Sequence, residues 1–127
     1  MARFLWISLG GAIGTGARYL LSDWLLRVAG PGFPWWTLAV NAAGSFLLGL
    51  VMEISLVPGL VPPTLRLALT TGVLGGFTTY STFNYETLRL FQEDAWLLGI
   101  ANVGATLMGC LVAGLLGLLA GRLLIGG

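Results

Sequence analysis

The chain has 127 residues, 57% of them hydrophobic and 9% charged, with a formal net charge of +1. Soluble domains carry roughly 25% charged residues, so the composition excludes an ordinary soluble domain and leaves one small all-α membrane bundle. The small net charge argues against a nucleic-acid partner. The absence of histidine excludes a His-ligated metal site and a His general base, and the single Cys110 cannot close a disulfide within the chain.

Four segments are long enough to cross a bilayer at about 1.5 Å of rise per residue: 4–28, 35–55, 65–90 and 95–125. A cleaved signal peptide is a poor description of the first. Its apolar run continues past Gly10 to Leu26, and Arg18 sits inside it. Gly10, Gly14 and Arg18 share one face. An Arg at mid-membrane costs ~2.5–3.5 kcal/mol on insertion scales, so Arg18 is either functional or snorkels to the interface, and the two readings stand level. Asp23 and Arg27 form an i, i+4 surface pair near the end of the span, which Gly30-Pro31-Gly32-Phe33-Pro34 terminates.

In the second span Thr37, Asn41, Ser45 and Gly49 form a line four residues apart. An amide at mid-span is costly unless paired and offers two N–H donors to an anion, which makes Asn41 a candidate functional residue. Glu53, and Glu86 in the next span, are explained by interface exposure or by pairing with Arg. Val57-Pro58-Gly59 and Pro62-Pro63 separate the second span from the third.

The third span carries Thr70-Thr71-Gly72-Val73-Leu74-Gly75-Gly76-Phe77-Thr78-Thr79-Tyr80-Ser81-Thr82-Phe83, which predicts a broken helix. Backbone that leaves the helix at membrane depth is tolerated only where protein, water or an ion satisfies it. Gly75 and Gly76 can adopt positive φ and turn carbonyls toward a cation. Thr78, Thr79, Ser81 and Thr82 bring hydroxyls. A helix restarting near Thr79 has free N–H groups that favour anions. Tyr80 and Phe83, three apart, project to nearly one side, and ring edges are positive.

Gln92-Glu93-Asp94 leads to the fourth span, where Asn102, Thr106, Cys110 and Gly114 form another line. Ala105, Gly109, Ala113, Gly117 and Gly121 read as a packing ridge. Trp6, Trp24, Trp35, Trp36 and Trp96 lie near span ends, as an aromatic belt requires. Arg3, Arg66 and Arg122 fall on one side of the membrane and Arg27 and Arg89 on the other, with Arg18 toward the latter and no Lys anywhere. This balance is met equally if other residues set the topology or if the chain inserts both ways and pairs with an inverted copy.

Three segments resemble the Fluc (CrcB) family of fluoride channels, in order and over essentially the whole length. Gly10-Gly11-Ala12-Ile13-Gly14-Thr15-Gly16-Ala17-Arg18-Tyr19 is similar to the family's opening segment. Thr37-Leu38-Ala39-Val40-Asn41-Ala42-Ala43-Gly44-Ser45-Phe46 is similar to its second motif. Gly72-Val73-Leu74-Gly75-Gly76-Phe77-Thr78-Thr79-Tyr80-Ser81-Thr82-Phe83 is similar to its broken-helix signature. The resemblance implies a multi-pass protein of the prokaryotic plasma membrane, not an enzyme, that passively exports fluoride and lowers its cytoplasmic level. It further implies an antiparallel, dual-topology homodimer with two pores in the lipid bilayer. A structural, untransported Na⁺ is implied at the dimer centre, held by the backbone carbonyls of Gly75 and Thr78. The fluoride pathway implied by similarity comprises Asn41, Tyr80, Phe83, Thr37, Ser81 and Thr82, with Arg18 and Glu86 matching the family's first-span Arg and third-span Glu.

The chain departs from the family pattern at Tyr80, where Phe is usual, and at Trp36, where Gly is usual. Cys110 and Gly114 stand where several members carry hydroxyls. Two other readings compete with the channel. A proton-coupled exporter of the small multidrug-resistance type needs a Glu in the first span, and 4–28 contains none. A non-transporting assembly subunit leaves Asn41 and the Thr/Ser cluster without a role.

Overall fold

The computed structural model describes residues 1–126, and they form an all-α bundle of four helical segments with the third one broken. Helix α1 (Ala2–Ala29) ends at Gly30, whose φ of 79° brings its N–H to the Leu26 carbonyl at 3.0 Å. Pro34 precedes α2 (Trp35–Ile54), and Ser55 closes it. After the Pro62-Pro63 pair, α3 (Pro63–Leu67) starts with a proline at its first position, where a missing N–H breaks no helical bond. It runs on into a π-helical stretch, Ala68–Leu74, and then into α4 (Gly75–Phe77). Thr78 (φ −85°, ψ 157°) and Thr79 (φ −151°, ψ 118°) are extended, and the helix resumes as α5 (Tyr80–Gln92). A tight turn at Asp94, with φ 59°, leads into α6 (Trp96–Leu124).

The break divides the third segment between two supports. Its first half, the π-helical stretch and α4, lies on α1, while α5 lies on α6, and α2 packs along α6. Two of these seams are backbone against backbone. The space a Gly14 side chain would need is filled by the Val73 carbonyl, and that of Gly117 by the Phe46 carbonyl. Small residues allow membrane helices this approach. The predicted ridge on α6 holds only in part: Gly117 and Gly121 are buried against α2, but Ala105 is exposed. A four-residue repeat drifts about 40° per step around a 3.6-residue helix, so the ridge leaves the seam within a few turns.

Among the described residues the buried apolar side chains are Val40, Leu74 and Phe83. Leucines and aromatics face outward along α1, α2, α5 and α6, from Phe4 and Trp6 to Leu111, Leu115 and Leu123. A water-soluble fold would hide much of that surface. Helices α2 and α6 are each long and apolar enough to cross a membrane. Helix α1 is long enough, but Arg3, Arg18, Asp23 and Arg27 lower its hydropathy, and the third segment is divided into shorter pieces. Glu53 pairs with Arg122 at 2.9 Å, tying the ends of α2 and α6, and Asp23 pairs with Arg27 at 2.8 Å on the surface.

Candidate functional site

Where the break faces α2 and α6 there is an open groove of about 440 Å³. Asn41 and Ser45 reach it from α2, Gly75 and Thr78 from the end of the first half-helix, Tyr80 and Phe83 from α5, and Thr106 and Cys110 from α6. Its centre is a pairing between a side chain and the unwound main chain. The Thr79 N–H donates to Asn41 Oδ1 at 2.8 Å, and Asn41 Nδ2 donates to the Thr79 carbonyl at 3.0 Å. The extended conformation of Thr79 presents both groups to one side, and a primary amide matches them as a second peptide would.

This pairing redirects the helical hydrogen bonds. In an unbroken helix the Thr79 N–H would donate to the Gly75 carbonyl and the Thr82 N–H to the Thr78 carbonyl. Instead Thr79 donates to Asn41, and the Thr82 N–H donates to Thr79 Oγ1 at 3.3 Å, capping α5. The carbonyls of Gly75 and Thr78 thereby lose their helical donors. Gly75 and Gly76 do not use the positive-φ freedom open to them. Gly75 is helical (φ −63°, ψ −38°), and neither glycine has positive φ. Threonine, which accepts extended backbone readily, makes the break. Gly76 serves close packing, since a Cβ there would lie 2.5 Å from the Gly11 carbonyl.

The predicted pathway residues do not all meet at the groove. Asn41, Tyr80 and Phe83 line the groove. The two rings stand 5.8 Å apart at 62°, edge toward face, with Phe83 buried and Tyr80 77% exposed. Thr37 and Glu86 lie together off the groove, where the Thr37 hydroxyl donates to the Glu86 carboxylate. Glu86 has no Arg partner among the described residues; α2 instead places a buried hydroxyl within its reach. Ser81 is exposed on α5 away from the groove, and the Thr82 hydroxyl accepts from Thr79 Oγ1 at 3.1 Å within the cap. Arg18 is on α1 and also off the groove, and its guanidinium has no ion pair among the described residues. Asn41 was expected to offer two N–H donors, and one of them is already committed to Thr79.

One set of polar residues was only partly foreseen. Thr87 Oγ1 donates to the Phe83 carbonyl at 2.8 Å, and Asn102 Nδ2 donates to Thr87 Oγ1 at 2.9 Å. The fourth-span line pointed to Asn102, but Thr87 was passed over. The signal available was its position four residues after Phe83, on the same face of α5. Among the described residues there is no cluster of three or more His, Cys, Asp or Glu that could hold a metal ion.

Comparison with known proteins follows the same line. Residues 5–118 match the family model described as CrcB-like protein, Camphor Resistance (CrcB). The chain is 56% identical over 127 residues to the fluoride-specific ion channel FluC of Sorangium cellulosum (strain So ce56), with both chains covered in full. It is 55% identical to the protein of that name from Anaeromyxobacter sp. (strain K), over 99% of this chain and 100% of the relative. It is 46% identical to that of Citrifermentans bemidjiense, over 98% and 100%.

Proposed function

This chain belongs to the CrcB family, and from that premise we propose that it is a fluoride channel that exports the ion passively and so lowers its cytoplasmic concentration. It is a membrane protein and not an enzyme. As one domain of residues 1–127 it crosses the prokaryotic plasma membrane four times. Two copies assemble in opposite orientations and form two pores. The even spread of arginines and the outward-facing apolar surface support this assembly.

The observation that carries the reading is the unwound main chain at Thr78 and Thr79, lying beside a groove that also contains Asn41, Tyr80 and Phe83. Fluoride is small and holds its water tightly, so a path must return donors at each step without trapping the ion. The second N–H of Asn41 and the positive edges of Tyr80 and Phe83 supply such contacts. No ammonium is available to hold the anion too firmly, since the chain has no Lys. Thr37 and Glu86, which bond to each other, form a second polar station beyond the groove. Ser81, Thr82 and Arg18 act in this reading at the approaches.

The main-chain oxygens of Gly75 and Thr78 fit a hard monovalent cation. Both residues have carbonyls without helical donors, and 72–83 contains no carboxylate. They would hold a structural Na⁺, contributed once by each subunit. When bound, that ion supplies a fixed positive charge beside the anion path.

Efflux from proteoliposomes, followed with fluoride and chloride electrodes and with no proton gradient, tests the proposal. Rapid fluoride loss with negligible chloride loss is expected. Fluoride retention, or gradient-driven loss of a lipophilic cation, overturns it.

A further inference from the structure

A second, smaller cleft of about 220 Å³ opens between the start of α1 and the start of the third segment. Trp6 lines it from α1, and Thr64, Leu65 and Ala68 line it from the other side. Ala68 faces this cleft while Thr70, two residues on, faces the groove, so the two openings lie on opposite sides of the third segment. A second copy seated on the groove therefore leaves the cleft open to the bilayer. Arg3 lies one turn before Trp6 on the same face of α1, and Arg66 adjoins Leu65 on α3. Neither makes an ion pair among the described residues. The other arginines at helix ends all do: Arg27 with Asp23 at 2.8 Å, Arg89 with Glu93 at 2.8 Å and Arg122 with Glu53 at 2.9 Å. We propose that this cleft holds one anionic phospholipid, with its phosphate between Arg3 and Arg66 and an acyl chain along Trp6 and Leu65.

Each part of the site matches a part of that molecule. Leu65 and Ala68 give hydrocarbon an apolar wall. Trp6, 55% exposed, offers its ring to the chain and its indole N–H to the ester or phosphate, as tryptophan does at headgroup level. A guanidinium binds phosphate through paired N–H donors. The two cations also lack a counter-charge from the chain itself. No Asp or Glu occurs in 1–22 or 54–85, and Glu53, the carboxylate nearest to Arg66 in sequence, is already engaged by Arg122. A zwitterionic headgroup fits less well, because its own cation would meet two arginines and no carboxylate. Basic pockets between membrane helices recognise anionic headgroups on this principle. A bilayer around the chain is all the site requires, whether or not the groove conducts.

Native mass spectrometry of the delipidated protein in detergent, titrated with phosphatidylglycerol or phosphatidylcholine, tests the proposal. Phosphatidylglycerol should bind about tenfold or more tightly than phosphatidylcholine. Arg3→Gln with Arg66→Gln should weaken phosphatidylglycerol about thirtyfold, at about fivefold for each Arg. Arg27→Gln with Arg89→Gln removes the same charge from arginines that already hold carboxylates, and should leave the affinity unchanged. The two double variants disturb the arginine balance between the two sides equally, so an effect of assembly would appear in both. Ala68→Leu narrows the cleft without changing charge and should also weaken binding. Size-exclusion chromatography checks each variant, and if Ala68→Leu fails to assemble the arginine pairs decide. Glycerol phosphate, a headgroup without chains, should not displace the lipid. Equal weakening by both arginine pairs, no preference between the two lipids, or unaltered binding to an assembled Ala68→Leu overturns the proposal. Displacement by glycerol phosphate overturns it too, by showing a site for free anions.

Discussion

Asn41 places its oxygen on the Thr79 N–H and its nitrogen under the Thr79 carbonyl, so one side chain both closes the unwound main chain and leaves a single N–H for an ion. Asn41→Asp keeps the shape, removes the donor to the Thr79 carbonyl and adds a negative charge at the groove. Fluoride efflux from proteoliposomes of that variant should fall by about tenfold or more, since charge repulsion and a lost bond act together. An unchanged rate would take Asn41 out of the path. Residue chemistry alone marked Asn41 as an amide needing a partner. It did not reveal how many donors remained, because the partner is main chain 38 residues away. Thr37 and Glu86 were legible only as separate polar positions for the same reason, their contact being a product of how α2 meets α5. Tyr80 permits a sharper test. Its hydroxyl has no hydrogen bond among the described residues, and the ring is largely exposed. Tyr80→Phe retains the ring edge, so efflux should stay within a factor of about three of the wild type. A larger fall would assign the phenol oxygen a place in conduction.

At the scale of elements, the broken third helix was readable because Gly, Thr and Ser interrupt a run that is otherwise apolar. So was the restart near Thr79, since α5 begins at Tyr80 with Thr79 as its cap; which residues leave the helix was not, since glycine suggests conformational freedom while these glycines are used for proximity. Gly75 and Gly76 stay helical, and Thr78 with Thr79 leaves the helix. The π-helical stretch before them had no sequence signal, because its wider turn depends on how it meets α1. The small residues of α6 divide in the same way. Gly117 lies where a methyl group would strike the Phe46 carbonyl, whereas a Cβ at Gly104 meets nothing within 4 Å. Gly117→Ala should therefore destabilise the α2–α6 seam by about 1–3 kcal/mol. Gly104→Ala should leave it unchanged or slightly firmer through helix propensity. Thermal unfolding in detergent, read by circular dichroism, checks the pair. Equal midpoints would mean that the Phe46 carbonyl does not close the space at Gly117.

For the whole molecule the deciding facts are its apolar exterior and its even distribution of positive charge. A protomer that buries so few of its apolar side chains needs lipid, a second copy, or both around it. On the four-span reading arginine falls on both sides, which removes the bias that ordinarily fixes one orientation. Both features follow directly from composition and order, which is why they were legible before any contact was known. If the functional assembly pairs inverted copies, forcing one orientation must abolish it. Gly32→Lys with Glu93→Lys adds cations to the connections on one side of the bundle, and Leu56→Lys with Leu60→Lys adds them to the other. All four positions are exposed and lie outside the groove. Each double variant expressed alone should insert in one direction, as labelling of cysteines added at the loops would verify, and should give no fluoride efflux. Expressing the two together supplies both orientations and should restore it. A singly oriented variant that conducts fluoride unaided would replace the inverted pair with a parallel or solitary channel, in which Gly75 and Thr78 could not face their counterparts across an inverted axis.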